Sequence, residues 1–262
     1  MLNQINYGII GAGHLGSYHA QQLQKIKGVA LVGVFDINLQ SSKKLSEEHK
    51  IRNFTSLSSL LEACDAVSIT TPASNHFEPA MLAIKNNCHV FIEKPITQNV
   101  LEASKLIKYK NTKNVKMQIG HIERFNPAFI ALLNTSPKPK FIESHRLCAF
   151  NERGLDVDVV LDLMIHDIDL LSLLIPSPIK TISAYGSSVL TKSVDMANAR
   201  IQFKTGETAN LTASRISLKQ MRQMRVFQKN SYSVVDFQDQ KLNTWKINSQ
   251  QKLQSVNHEI IK

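Results

Sequence analysis

Cysteine is scarce in this chain of 262 residues, with only three, at positions 64, 88 and 148, and no CxxC pair. An odd number of widely spaced cysteines argues against a disulfide framework and against a structural zinc site. Long hydrophobic runs are missing too, because no stretch approaches the roughly 20 apolar residues that span a bilayer. We therefore expect a protein of the reducing cytoplasm that crosses no membrane and holds no metal.

Blocks of like charge are also absent, although the formal net charge is +10. The lysines and arginines are scattered, and no basic stripe alternates with aromatic residues, so the pattern does not favour a nucleic-acid partner. Two interpretations remain for the basic surface. It is either simply solvated, or it mildly attracts anionic small molecules such as a cofactor or a phosphorylated substrate.

The most informative motif present is the glycine-rich segment Gly11-Ala12-Gly13-His14-Leu15-Gly16. An apolar run over 5–10 precedes it and an amphipathic stretch over 15–26 follows. A second apolar run, 30–35, ends at Asp36, twenty residues after Gly16. This order predicts a dinucleotide-binding βαβ unit rather than a glycine-rich turn without a ligand. Since residues 5–10 fit its first strand, we expect no signal peptide.

Each part of this unit has a predicted role in binding the cofactor. Gly11 permits the tight turn, Gly13 lets a pyrophosphate approach the backbone, and Gly16 lets helix and strand pack closely. His14 and Leu15 lie in the same loop, at a helix N-terminus that attracts phosphates. The Asp36 carboxylate can accept from a ribose 2′-hydroxyl and repels a 2′-phosphate, which favours NAD over NADP.

The pattern of elements predicts two domains, at 1–122 and 123–262. The first half alternates strands with helices, which is typical of a doubly wound parallel sheet, that is, a Rossmann fold. The second half predicts an α+β domain on a mostly antiparallel sheet with one open face, and we expect that face to form a homodimer or homotetramer. The expected strands are 5–10, 30–35, 66–71, 88–92, 116–120, 141–148, 179–190, 195–204, 207–217, 224–237 and 241–247, and the expected helices are 15–27, 56–63, 75–86, 98–109 and 158–175.

Two of the predicted parallel strands end in polar residues, at the edge of the sheet where ligands bind. Thr71 and Pro72 follow one strand, with His76 just beyond, and Glu93-Lys94-Pro95 follows another. Proline restricts the residue before it to extended geometry, which would aim Lys94. From spacing alone, Lys94 is equally well explained as a solvated cation.

A second polar cluster lies in the expected helix 158–175. Asp162, His166 and Asp169 follow the spacing i, i+4, i+7 and so share one face of an α-helix, whereas Asp167 points elsewhere. A carboxylate near an imidazole can fix its tautomer and make a general acid/base pair. The alternative is a helix-terminal aspartate and a satisfied buried histidine.

The segment Gly120–Pro127 joins the two halves, and substrates often bind in crevices between domains. Arg124 could clamp a phosphate or form a structural ion pair, and Asn126 lies beside it. Pro127, Pro137 and Pro139 punctuate this region. Further candidates for anion binding are Arg146, Arg153, Arg215 and Arg222.

These motifs, in this order, resemble the Gfo/Idh/MocA family of NAD(P)-dependent oxidoreductases, and most closely its branch that oxidises UDP-N-acetylglucosamine at C3 for amide-linked lipid A. The resemblance implies Lys94 and His166 as the catalytic pair, with Asp162 in support. It implies cofactor contacts from Thr71, Pro72, His76 and Glu93. As candidates for substrate contacts we select Arg124, Asn126, Arg146 and Asp169. The residues that carry it are Gly11–Gly16, Thr71-Pro72 with His76, Glu93-Lys94-Pro95, Gly120–Pro127, Leu161–Asp169 and Ala209–Arg215.

The sequence departs from the family pattern in two places. Many members carry glycine where Met164 stands, and relatives usually continue past the position of Lys262, so we expect a shorter variant or a truncated product. The predicted function is NAD-dependent oxidation of a secondary hydroxyl of a sugar or nucleotide sugar. A cofactor-binding regulator or scaffold without turnover, and a reductase of an unsaturated or imine substrate, remain alternatives.

Overall fold

The computed structural model describes residues 4–151, 156–247 and 252–257. The chain divides into two compact units, Met1–Gly120 and His121–Lys262. We call them the first and the second unit and describe each by itself. The sequence predicted a boundary after residue 122.

The first unit contains a six-stranded, entirely parallel sheet in the order β3-β2-β1-β4-β5-β6. The strand order reverses between β1 and β4, which makes the carboxyl ends of these two strands the place where a ligand is expected. The strands are β1 (Ile5–Ile10), β2 (Val29–Phe35), β3 (Arg52–Asn53), β4 (Ala66–Ile69), β5 (His89–Ile92) and β6 (Met117–Ile119).

Helices cover the sheet and bury apolar side chains against it in two clusters. Ile9 and Val34 belong to one cluster, and Ile10 and Ile69 to the other, as expected for strands that alternate their side chains between two covered faces. The helices are α1 (His14–Leu23), α2 (Leu39–His49), α3 (Leu57–Glu62), α4 (Phe77–Lys85) and α5 (Val100–Lys110). The sequence did not predict α2.

The second unit contains an eight-stranded sheet in the order β14-β13-β12-β11-β7-β10-β9-β8, in which only the β7–β10 pair is parallel. The strands are β7 (Pro139–Leu147), β8 (Ile179–Ser187), β9 (Met196–Phe203), β10 (Thr208–Ser214), β11 (Met221–Gln228), β12 (Ser231–Asp236), β13 (Lys241–Ile247) and β14 (Leu253–Asn257). The two sheets confirm the predicted fold class.

Two helices, α6 (Pro127–Asn134) and α7 (Ile165–Leu174), pack their apolar residues into the core of the second unit. The sequence did not predict α6, in whose first turn Pro127 lies, where its missing N–H costs nothing. The strand predicted over 224–237 is instead the pair β11 and β12, which turn at Asn230 with a φ of 62°.

The long helix predicted over 158–175 is also corrected. A π-helical turn, Val160–Met164, precedes α7. Because a π turn closes i→i+5 rather than i→i+4 hydrogen bonds, the common face predicted for Asp162 and His166 no longer follows from their spacing.

Among the described residues, every helix is too short or too polar to traverse a lipid bilayer. Over the same ranges, histidine, cysteine and acidic side chains nowhere gather in the threes that a metal ion needs.

Candidate active site

A cleft of about 610 Å³ lies in the first unit at the carboxyl ends of β1 and β4. Five of the residues predicted to bind the cofactor line it, namely Gly11, Gly13, Asp36, Thr71 and Pro72. The other predicted cofactor residues, which are His14, Leu15, Gly16, His76 and Glu93, do not line this cleft.

The three glycines of the motif each meet a different steric constraint. Gly11 has a φ of 102°, and a Cβ there would lie 2.7 Å from the backbone nitrogen of Thr71. A Cβ on Gly16 would lie 2.1 Å from the Gly11 carbonyl oxygen, so no side chain fits. A Cβ on Gly13 would meet no protein atom within 4 Å, which leaves its backbone open to the cleft. An open glycine beside the start of a helix fits a bound pyrophosphate.

Thr70 anchors this loop, a role that the sequence reasoning missed. Its buried hydroxyl donates to the Gly11 carbonyl at 2.7 Å and lies 3.1 Å from the carbonyl of Ile10. The sequence did contain an indication of this role, because Thr70 lies at the end of the predicted strand 66–71, next to Thr71, a predicted cofactor residue. A strand-end hydroxyl can hold the adjacent loop as well as contact a ligand.

Asp36 is held at the edge of the cleft by two backbone donors. The Ala12 N–H donates to Oδ2 at 2.6 Å and the Asn38 N–H donates to Oδ1 at 2.8 Å. The carboxylate is half-buried and lines the cleft at the end of β2. The carboxylate is therefore held in place at the position where the sequence predicts an acceptor for a ribose hydroxyl.

His76, for which the sequence predicts a cofactor contact, does not line this cleft. Its side chain is buried, with 1% exposed, and its ring nitrogens lie 2.7 Å from the Pro95 carbonyl and 2.9 Å from the Thr71 carbonyl. The imidazole thus ties the loop after β4 to the loop after β5. The spacing between Thr71 and His76 is thus explained by a contact within the fold.

Lys94 is half-buried directly after β5 and precedes Pro95 through a cis peptide bond. The neighbouring Glu93 side chain turns inward, where Oε1 accepts from Nε2 of His19 at 2.9 Å and Oε2 accepts from the Lys94 N–H at 3.2 Å. His19, on α1, is a second residue that the sequence did not predict, because its partner Glu93 lies 74 residues away in the chain. His14, at the start of α1, is exposed and packs edge-on against Tyr18.

In the second unit, His166 lies in the first turn of α7, and Asp162 lies in the π-helical turn before it. Arg124 holds Asp169, the third member of the predicted cluster. Its Nε donates to Oδ2 at 2.7 Å, and its Nη2 donates to Oδ1. The Arg124 side chain remains 38% exposed, so part of its guanidinium is still accessible.

Arg146, for which the sequence predicts a substrate contact, is buried between two carboxylates. Nε and Nη2 donate to the Asp167 carboxylate at 3.1 and 2.9 Å, and Nη1 donates to Glu123 at 2.8 Å. The side chain is only 3% exposed. Although burial opposes the charged form, the two carboxylates raise the pKa of Arg146 above its ordinary value. This arginine is a buried link between β7 and α7.

Other candidates also have partners inside the fold. Asn126 caps α6 by accepting from the Ala128 N–H, and its amide donates to Glu123 and to the Phe237 carbonyl. Arg215 is buried and donates to Asp195 at 3.0 Å. Arg153 lies outside the described residues.

Comparison with known proteins gives a consistent result over both units. A family model described as "Oxidoreductase family, NAD-binding Rossmann fold" matches residues 5–121, and the GFO/IDH/MocA C-terminal domain model matches residues 143–231. The UDP-N-acetylglucosamine 3-dehydrogenase of Acidithiobacillus ferrooxidans is 41% identical over 231 residues, which cover 88% of this chain and 73% of that protein.

Solved structures agree. A structure of that dehydrogenase, GnnA, matches with a TM-score of 0.91 and 37% identity, covering 98% of this chain and 84% of the other. The WlbA dehydrogenase of Bordetella pertussis, solved with NADH and UDP-GlcNAcA, shares the fold with a TM-score of 0.82 and 17% identity, covering 89% and 74%. Because both family models match and a relative is 41% identical over 88% of the chain, the chain belongs to the Gfo/Idh/MocA family of NAD-binding oxidoreductases.

Proposed function

We propose that this protein oxidises UDP-N-acetylglucosamine at C3 and reduces NAD in the same reaction. The observation that carries the proposal is the 41% identity to a UDP-N-acetylglucosamine 3-dehydrogenase, which extends over 88% of the chain and therefore includes residues of both units. Similarity confined to the first unit would support nucleotide binding alone, because folds of this kind serve many reactions.

The first unit supplies the residues for the cofactor. Gly11, Gly13 and the N-terminus of α1 would hold the pyrophosphate, and Asp36 would accept from the ribose hydroxyl. NAD, when bound, supplies the capacity to accept a hydride. Thr71 and Pro72 line the same cleft and would face the nicotinamide side.

Proton transfer is assigned to Lys94 and His166. Lys94 would hydrogen-bond the reacting hydroxyl and lower its pKa, and His166 would accept the proton, with Asp162 supporting the imidazole. The family resemblance supports these roles. Asp169 is engaged by Arg124, whose accessible part would contact the anionic portion of the substrate.

The test is to incubate the purified protein with NAD and UDP-N-acetylglucosamine and to follow the NADH absorbance band. UDP-glucose, glucose 6-phosphate and an inositol serve as comparison substrates, and mass spectrometry of the product should show the loss of two hydrogens. Turnover with UDP-N-acetylglucosamine well above the others is expected. NADH binding without turnover on any substrate would favour a regulator or scaffold instead.

Substitution of the two proposed catalytic residues tests their roles directly. Lys94→Ala and His166→Ala should each lower kcat by about 10²- to 10⁴-fold, the usual size of acid/base catalysis. NADH affinity should stay close to that of the wild type, because neither residue lines the cofactor cleft. Affinity that collapses together with turnover would refute these assignments.

The setting of the activity is part of the same proposal. We place the protein in the cytoplasm, in the synthesis of amide-linked lipid A, as a homodimer or homotetramer formed through the second unit's sheet. The edge strand β8 supports the assembly, because Ile182 and Tyr185 are 60% and 69% exposed. Three free cysteines suit a reducing compartment. Size-exclusion chromatography with light scattering would reveal a monomer if the assembly is wrong.

A further inference from the structure

We infer that His19 and Glu93 form a brace that positions Lys94, so that both are positioning residues for proton transfer. The inference rests on the proposed dehydrogenase activity, in which Lys94 contacts the reacting hydroxyl. Neither side chain lines the cofactor cleft, and both are mostly buried, with 18% of His19 and 14% of Glu93 exposed. Their effect would therefore pass through the backbone that carries Lys94.

The contact between His19 and Glu93 determines which ring nitrogen of His19 carries a hydrogen toward the carboxylate. Nε2 of His19 lies 2.9 Å from Oε1 of Glu93, and a carboxylate only accepts, so Nε2 carries the hydrogen. Nδ1 lies 2.9 Å from Oγ of Ser68, which is itself 3.2 Å from the Tyr7 hydroxyl. The ring of His19 also packs edge-on against Phe91 of β5. The imidazole is thus held at both nitrogens and packed against Phe91.

Glu93 is fixed from three sides. Oε1 accepts from His19, Oε2 accepts from the Lys94 N–H, and a Cβ on Gly120 would lie 2.8 Å from Oε2. A side chain at position 120 would therefore displace the carboxylate. Because the Lys94 N–H donates to this carboxylate, the direction in which Lys94 leaves the backbone depends on where Glu93 is held.

The brace also connects two functional segments of the first unit. His19 belongs to α1, which begins at the glycine loop, and Lys94 follows β5. The hydrogen bond from His19 to Glu93 therefore joins the helix whose N-terminus is proposed to hold phosphate to the loop proposed to handle the proton. Weakening it should change kcat more than the KM for NAD.

Two substitutions at one position separate the brace from simple packing. In His19→Gln the side-chain amide nitrogen can reach the place of Nε2 and donate to Glu93. In His19→Asn the shorter amide reaches only the place of Nδ1, so the contact with Ser68 survives and the contact with Glu93 is lost. His49→Asn is the control, because His49 pairs with Gln24 in the same unit and does not line the cleft.

Three quantities are measured for each variant: kcat and KM with NAD and UDP-N-acetylglucosamine, the thermal midpoint, and the acetylation rate of Lys94 relative to Lys85 by peptide mass spectrometry. We expect His19→Asn to lower kcat about tenfold or more relative to His19→Gln, as for the loss of a charge-assisted hydrogen bond. The relative acetylation rate of Lys94 should change in His19→Asn and remain near the wild-type value in His19→Gln and His49→Asn.

Equal kcat values and equal Lys94 acetylation in the two His19 variants would overturn the inference. If His19→Asn does not fold, Glu93→Gln replaces it, since an amide can accept only one of the two donors and should also alter Lys94 acetylation. The acetylation readout needs no substrate. A wild-type protein without turnover would therefore refute the proposed function while the brace is still decided by the Lys94 rates.

Discussion

Asp36 is the residue on which cofactor choice is expected to depend. Its carboxylate lines the cleft and is oriented by the N–H groups of Ala12 and Asn38. Asp36→Ser removes the repulsion of a 2′-phosphate together with the acceptor for the ribose hydroxyl. We expect the affinity for NADPH relative to NADH to rise about tenfold or more, measured by fluorescence titration with both cofactors.

Asp36→Asn provides the matched control, because it keeps the size and one acceptor of the side chain while removing its charge. Its preference should fall between that of the wild type and that of Asp36→Ser. If neither variant alters the ratio of the two affinities, Asp36 does not face the ribose.

At the scale of elements, the buried ion pair between Arg146 of β7 and Asp167 of α7 is expected to be sensitive to the loss of either partner. Both side chains are almost fully buried, so the partner left behind would be an uncompensated charge. Arg146→Met or Asp167→Leu alone should lower the free energy of unfolding by about 3–5 kcal/mol, measured by urea denaturation. The double variant should lose less than the sum.

Arg225→Met is the control for this experiment, because Arg225 also forms an ion pair across strands, with Glu143 of β7 at 2.9 Å. About a third of each of its side chains is exposed, so solvent screens the pair and its loss should cost no more than about 1 kcal/mol. If Arg146→Met and Arg225→Met lower the free energy of unfolding by similar amounts, burial does not make the Arg146 ion pair more sensitive to the loss of a partner.

Elements whose signal is local could be predicted from the sequence, and those that depend on distant partners could not. Several strands of the first unit are mostly apolar, and β1, β2 and β5 lie where expected. Helix α2 was not predicted, because its sequence is largely polar. The N-cap residue Asn38 does mark its start, since its side chain accepts from the Gln40 and Ser41 N–H groups. Helix α6 was not predicted either, although Pro127 suits the first turn of a helix.

The same division holds for the site. Gly11, Gly13 and Asp36 could be assigned because their order in the sequence already describes a βαβ unit, and all three line the cleft. The true environments of Arg146 and His19 could not be assigned, since their partners lie 21 and 74 residues away. Spacing along one helix says nothing about such contacts.

For the molecule as a whole, the cofactor is expected to stabilise the two units unequally. The cleft is lined entirely by residues of the first unit, and each unit has buried clusters of its own. NADH at about 100 times its Kd should raise the free energy of unfolding of the first unit by about 2.7 kcal/mol. Cys88, in the first unit, should therefore gain more protection from alkylation in urea than Cys148, in the second.

The thiols suit this measurement because we expect them to react slowly in the folded protein. Burial raises the pKa of Cys64 to about 12, helped by its neighbours Cys88 and Asp65, and burial also raises the pKa values of Cys88 and Cys148. The reactive thiolate is thus rare until a unit opens. Mass spectrometry of each cysteine peptide reports the urea midpoint, and equal NADH-induced shifts at Cys88 and Cys148 would contradict the prediction.

The position of β7 determines how the second unit can assemble during synthesis. Its two neighbours in the sheet are β10 and β11, both of which begin only after residue 207. A ribosome that adds about 5–20 residues per second leaves β7 without either partner for several seconds. The hairpin of β8 and β9 is complete before β10 is synthesised. This hairpin can therefore form first, and β7 can join the sheet once β10 or β11 is available.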